Sequence, residues 1–171
     1  RNKIYTSHGA AAIGAATVTG TAAANAVIAN NMIVAEDDGS AISIVSPLNI
    51  QSASYVKVVY NSIKFTADTR SDIAAVSFGG VSLDNSIFKN NIIATLDDYN
   101  YALSYAPGSN TTNQVGNNIY YTDGAVLNRY GSNTYNNINA WRNALPSDNL
   151  SQKVNPGFLN GELVDLRTFN Q

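Results

Sequence analysis

One pattern returns along this chain at a nearly constant distance. An asparagine followed two residues later by isoleucine or tyrosine occurs at Asn2, Asn31, Asn61, Asn91 and Asn118, at intervals of 29, 30, 30 and 27 residues. A fixed period of this size marks a solenoid and takes precedence over any element-by-element reading. Three residues before the last four asparagines stands an apolar residue, namely Ile28, Val58, Phe88 and Val115. After each asparagine the residues alternate: Ile33 and Ala35, Ile63 and Phe65, Ile93 and Thr95, and Tyr120 and Thr122 share a face with their own asparagine. That alternation is the signature of a strand.

The turns argue for coiling rather than for a sandwich. Sandwich strands pair with sequence neighbours through hairpins, so Asn-Gly or Asp-Gly should punctuate the chain about every 8–12 residues. Only Asp38-Gly39, Asp123-Gly124 and Asn160-Gly161 occur. Stacking like residues on like instead places each strand on its own copy one coil away, in parallel. Each coil is expected to carry about three short strands separated by polar turns. Asparagines stacked this way explain themselves: each amide offers both a donor and an acceptor, so Asn2, Asn31, Asn61, Asn91 and Asn118 form a self-satisfying ladder.

The expected architecture is all-β, a right-handed parallel β-helix of about four to five coils over residues 1–130, followed by a C-terminal cap over 131–171. In the cap, Ile138, Trp141 and Leu145 fall on one helical face. This predicts a short helix over about 137–145, with Asn136 as its cap and Pro146 as its stop. An extended tail that includes Phe158 is expected to cover the open end of the stack. The opening run Arg1-Asn2-Lys3-Ile4 is already in register with the later repeats. It reads as a cut into a longer solenoid, so further polypeptide N-terminal to residue 1 is an expected partner.

Composition narrows the function classes. Charged residues make up 13% of the chain, against roughly 25% in ordinary globular domains. With a net charge of −2, no basic field exists to collect phosphates, and nucleic acid is not an expected partner. The small-residue run from Ala10 to Ala16 is too short to span a bilayer and lacks a basic stretch before it, so membrane insertion is not expected either. There is no cysteine. No phosphate loop, dinucleotide fingerprint or metal-spaced His/Cys cluster is present.

Two features could carry chemistry. Seven residues after three of the organising asparagines stand Asp38, Asp68 and Asp98. Stacked carboxylates either splay into water and tie their turns by Asx bonding, or surround a hard cation, calcium being the candidate. Lys64, Arg70 and Lys89 are expected beside this column. The second feature is tyrosine: of ten in the chain, seven lie between residues 99 and 135. Tyr105 and Tyr120 alternate with Leu103 and Ile119 as core aromatics do, whereas Tyr99 and Tyr121 are candidates for stacking on sugar rings.

The stretches Tyr60-Asn61-Ser62-Ile63, Asn90-Asn91-Ile92-Ile93, Asn117-Asn118-Ile119-Tyr120-Tyr121, Tyr135 to Trp141, Asn155-Pro156-Gly157-Phe158 and Asp165-Leu166 together resemble the right-handed parallel β-helix repeat proteins of the pectate-lyase-like superfold. More narrowly, the chain is similar to large secreted surface proteins of Bacteroidetes-type bacteria, including adhesin-like cargo of the type IX secretion system. That resemblance implies a secreted or cell-surface location. It also implies a non-enzymatic stalk or adhesin that presents a surface to a glycan or another cell-surface ligand. Because the superfold also hosts polysaccharide lyases and glycoside hydrolases, it implies an alternative: a fragment of a polysaccharide-active enzyme. In such lyases a carboxylate cluster holds calcium beside an Arg or Lys base, and Arg70 with Asp68 and Asp72 is the grouping that imitates it.

Overall fold

The computed structural model describes residues 2–6, 11–37, 46–67, 73–98, 100–106 and 112–158, with backbone alone at 37 and 79–83. The described chain is a parallel β-solenoid of about 4 turns. Three sheets run along it, each built by stacking strands from successive coils.

The first sheet stacks Asn2–Thr6, Asn31–Asp37, Ser62–Ala67, Ile92–Thr95, Ile119–Thr122 and Gln152–Lys153. Every pairing in it is parallel, and Ile4, Ile33, Ile63, Ile93 and Tyr120 lie in one register column. The second sheet stacks Ala26–Ala29, Val56–Val59, Ile87–Lys89 and Gln114–Gly116. There Ile28, Val58, Phe88 and Val115 align, as the spacing before each asparagine predicts. The third sheet contains Ile13–Ala15 with Val18–Thr19, then Leu48–Ser54, Ala74–Asp84, Tyr101–Ala106, Asn128–Tyr130 and Asn133–Tyr135.

The alternation in sequence becomes alternation in burial. In Ser62–Ala67 the side chains of Ile63, Phe65 and Ala67 are buried, while Ser62, Lys64 and Thr66 are half-buried on the outer face. The inward residues of all three sheets meet in one core containing Ile33, Leu48, Ile50, Val58, Ile63, Phe65, Phe78 and Phe88. Within it Phe78 stacks on Tyr105 at 6.2 Å and Tyr105 on Tyr130 at 5.9 Å between ring centroids. Tyr105 and Tyr120 are core residues, as their alternation predicts. Burial pushes the Tyr105 hydroxyl up to about 12, because the phenolate would have to form in an apolar surrounding.

Four details differ from expectation. Paired glycines ordinarily stop a strand, yet the third-sheet strand runs through Gly79-Gly80 to Asp84. Ile50 pairs with Phe78 while Ser52 pairs with Ser82, so the glycines fall within an irregularity that inserts two extra residues against the neighbouring strand. The last strand of that sheet is antiparallel, with Tyr130 opposite Asn133 across a turn at Gly131, whose φ is 59°. The helix spans Ile138–Ala144 and is capped by Asn137, not Asn136; Asn137 Oδ1 accepts the Ala140 N–H at 2.9 Å. Phe158 does not cover the end of the stack but packs on Met32 and Val34, on the outer face of the first sheet. Those two outward residues are apolar where the equivalent Ser62 and Lys64 are polar, so that face gains from cover.

Candidate functional site

The best-defined polar structure in the molecule is the asparagine ladder. Asn2 Nδ2 donates to Asn31 Oδ1 at 2.9 Å. From Asn31 onward each rung is double: the backbone N–H and Nδ2 both donate to Oδ1 of the next asparagine. Asn31 bonds Asn61 at 3.1 and 3.0 Å, Asn61 bonds Asn91 at 3.0 and 3.0 Å, and Asn91 bonds Asn118 at 3.0 and 3.1 Å. The remaining amide hydrogens of Asn61, Asn91 and Asn118 reach the carbonyls of Ile28, Val58 and Phe88. Asn61, Asn91 and Asn118 are each 1% exposed, and the network removes the penalty of burying them. The rungs share one direction, with each N–H and Nδ2 donating toward the C-terminal end and each Oδ1 accepting from the coil before it.

The corner before each rung is also uniform. Asn30, Tyr60, Asn90 and Asn117 have φ of 57°, 58°, 58° and 55°, the left-handed region that asparagine tolerates and a bulky residue avoids. The Asn-Asn doublets at 30–31, 90–91 and 117–118 were the available signal for this turn. Tyr60 breaks it. Its ring is 60% exposed, and it borders a groove of about 340 Å³ lined by Asn30, Asn31, Met32, Tyr60 and Ser62.

The ladder ends on a group that spacing did not reveal. Ser151 takes the place of the next asparagine: its Oγ accepts the Asn118 N–H at 2.7 Å and donates to Asp148 Oδ1. Asp148, fully buried, also accepts from Tyr120 Oη at 2.8 Å and Trp141 Nε1 at 2.6 Å, both on Oδ2. Arg142 donates through Nε to the Ser151 carbonyl at 3.0 Å. Burial raises the Asp148 carboxyl above its ordinary value, and the hydrogen bonds from Ser151, Trp141 and Tyr120 oppose that shift. The Tyr120 hydroxyl is pushed well up, first by burial and then by the neighbouring carboxylate. Asp148, Ser151, Tyr120 and Trp141 are all fully buried, so the group acts as a terminator for the stack. A serine 33 residues after Asn118 followed by a two-residue strand is too weak a signal to find it.

The candidate metal column falls mostly outside the described residues. Asp38 and Asp68 lie outside the described residues, as do Arg70 and Asp72, while the Asp98 side chain is exposed. Asp97, one residue before, binds its own turn: Oδ1 accepts the Asn100 N–H at 2.7 Å and Oδ2 the Ala67 N–H of the preceding coil at 3.2 Å. That is the Asx-type role expected of turn carboxylates. Among the described residues no three His, Cys, Asp or Glu side chains come together to hold a metal. Lys89 sits on the second sheet and donates to Gln114 Oε1 at 2.8 Å.

Of the candidate sugar-stacking tyrosines, Tyr99 lies outside the described residues. Tyr121 is half-buried and donates its hydroxyl to Asp123 Oδ1 at 2.6 Å, a bond that raises the phenol's pKa. Among the described residues no helix is long and apolar enough to cross a membrane. No family model, curated protein or solved structure matches the chain.

Proposed function

We propose that this chain is a non-enzymatic β-solenoid module of a secreted or cell-surface protein, a stalk or adhesin element of the kind carried by type IX secretion cargo. In this role it presents its lateral surface to a glycan. The observation that carries the reading is Tyr60. A bulky side chain held at positive φ costs about 1–3 kcal/mol, and the equivalent corners use asparagine. Burial offsets little of that cost, since the residue is 60% exposed. A groove that sets an exposed aromatic residue beside the exposed Asn30 and a serine matches a sugar ring, which offers an apolar face and a rim of hydroxyls. Tyr121 with Asp123 supplies a second aromatic and carboxylate pair for such a ligand.

The test is binding and turnover on a panel of neutral and acidic polysaccharides. Tyr60→Asn is expected to weaken binding at least tenfold while leaving the fold intact. Release of unsaturated products absorbing in the near ultraviolet would replace this reading with that of a polysaccharide-active enzyme. If Asp38, Asp68 and Asp98 hold calcium, chelation lowers the melting temperature and Asp68→Ala removes that sensitivity; an unchanged melting curve ends the calcium reading.

A further inference from the structure

The first coil presents an unfinished version of the bond pattern that joins every later pair of coils. At the junctions after Asn61 and Asn91 the ladder asparagine makes three bonds with the coil that follows it. Its N–H and Nδ2 donate to the next asparagine's Oδ1, and its carbonyl accepts the N–H of the residue after that asparagine: Ile92 to Asn61 at 2.8 Å, Ile119 to Asn91 at 2.8 Å. At the first coil the receiving half of this pattern is present and unused. Among the described residues nothing donates to Asn2 Oδ1, and by the same register the Lys3 N–H points out of the N-terminal face. The inward hydroxyl of Thr6 is buried without a partner. Beneath these groups Ile4, Ile13, Val18, Ala26 and Ile28 are only partly buried, although their counterparts in the next coil are core residues.

We propose that this N-terminal face is a docking surface for one further parallel β-coil, supplied by polypeptide N-terminal to Asn2, with an asparagine at the ladder position. Only a residue in the ladder conformation presents two donors to Asn2 Oδ1 and a carbonyl to the Lys3 N–H together. A second copy does not satisfy the pattern. Head to head, a second copy runs its first strand antiparallel, so it cannot reproduce the parallel pattern in which one residue gives its N–H and Nδ2 to Asn2 Oδ1 and its carbonyl to the Lys3 N–H. Head to tail, its last rung is closed by Ser151 and covered by the helix Ile138–Ala144.

The experiment joins a copy of residues 31–60 directly to Asn2 of the full chain and follows amide hydrogen exchange by NMR, with the unextended chain as reference. The Lys3 amide is expected to exchange at least tenfold more slowly in the extended chain. Asn31→Ala in the added coil alone is expected to return most of that protection, which separates the ladder bond from mere covering of the end. Three results would overturn the proposal: Lys3 exchange unchanged by the extension, an added coil that contributes no strand signal by circular dichroism, or a reference chain that sediments as a dimer with Lys3 already protected.

Discussion

The two ends of this solenoid solve the same problem in opposite ways. At the C-terminal end the core closes on Trp141, fully buried, with Tyr120, Tyr130 and Tyr135 edge-on around it at 6.3, 6.4 and 5.8 Å. The last rung of the ladder is tied off by Ser151 and Asp148. At the N-terminal end the same columns stop without closure: Ile4 and Ile28 are partly buried and the first asparagine is exposed. An open edge of a sheet recruits strands, and a capped one does not. The difference teaches that the repeat supplies the fold while the closure is a separate invention, made from residues that do not repeat.

The largest test of that contrast removes the closure. Trp141→Ala should destabilise the chain by about 3–5 kcal/mol in denaturant titration, whereas Ile4→Ala at the open end should cost less than half as much. Asp148→Ala comes next. It strands the buried Trp141 Nε1, Tyr120 hydroxyl and Ser151 hydroxyl, at about 1–3 kcal/mol for each unsatisfied group before relaxation, so a total loss of several kcal/mol is expected.

The same substitution made in two places sharpens the comparison. Asn61→Ala breaks rungs on both sides and leaves the Asn31 donors and the Asn91 acceptor buried, for an expected loss of about 2–4 kcal/mol. Asn2→Ala removes a single bond at an exposed edge and should cost under about 1 kcal/mol. Equal losses would mean that the ladder is not a connected network.

Acidity gives a smaller effect with a definite sign. The Asp148 carboxyl is raised in the folded state, so the stability it contributes is fully present below its unfolded value and is lost as pH rises through the folded value. Stability should therefore decline on going upward from about pH 4, and Asp148→Asn should flatten that part of the profile. The smallest expected effect is at the corner: Tyr60→Asn restores the residue used by the neighbouring coils and should stabilise the chain by about 1 kcal/mol.

How much of this could be read from sequence follows from what repeats. The ladder, the inward isoleucines and the apolar residue three places before each asparagine recur once per coil, so spacing alone put them in register. Asp148 and Ser151 do not recur; they depend on where a single helix turns the chain back, which no period encodes. Gly79-Gly80 carries the mark of a strand end, since paired glycines ordinarily stop one, yet here the pair sits in a bulge within a strand. Phe158 was assigned to the wrong surface, although the unbroken apolar run from Met32 to Ala35 was a sign that both faces of that strand need cover. The candidate binding corner was hidden because Tyr60 is unusual only in its backbone angle.

The central claim is that ladder asparagines lie on one another from coil to coil. Nuclear Overhauser contacts from the side-chain amide protons of Asn31, Asn61 and Asn91 test it directly. The account predicts that each contacts the asparagine one coil further on, in the order 31 to 61 to 91 to 118, with slow exchange at the buried rungs. Contacts pairing sequence-adjacent strands in antiparallel hairpins, with these amides exposed to rapid exchange, would contradict it.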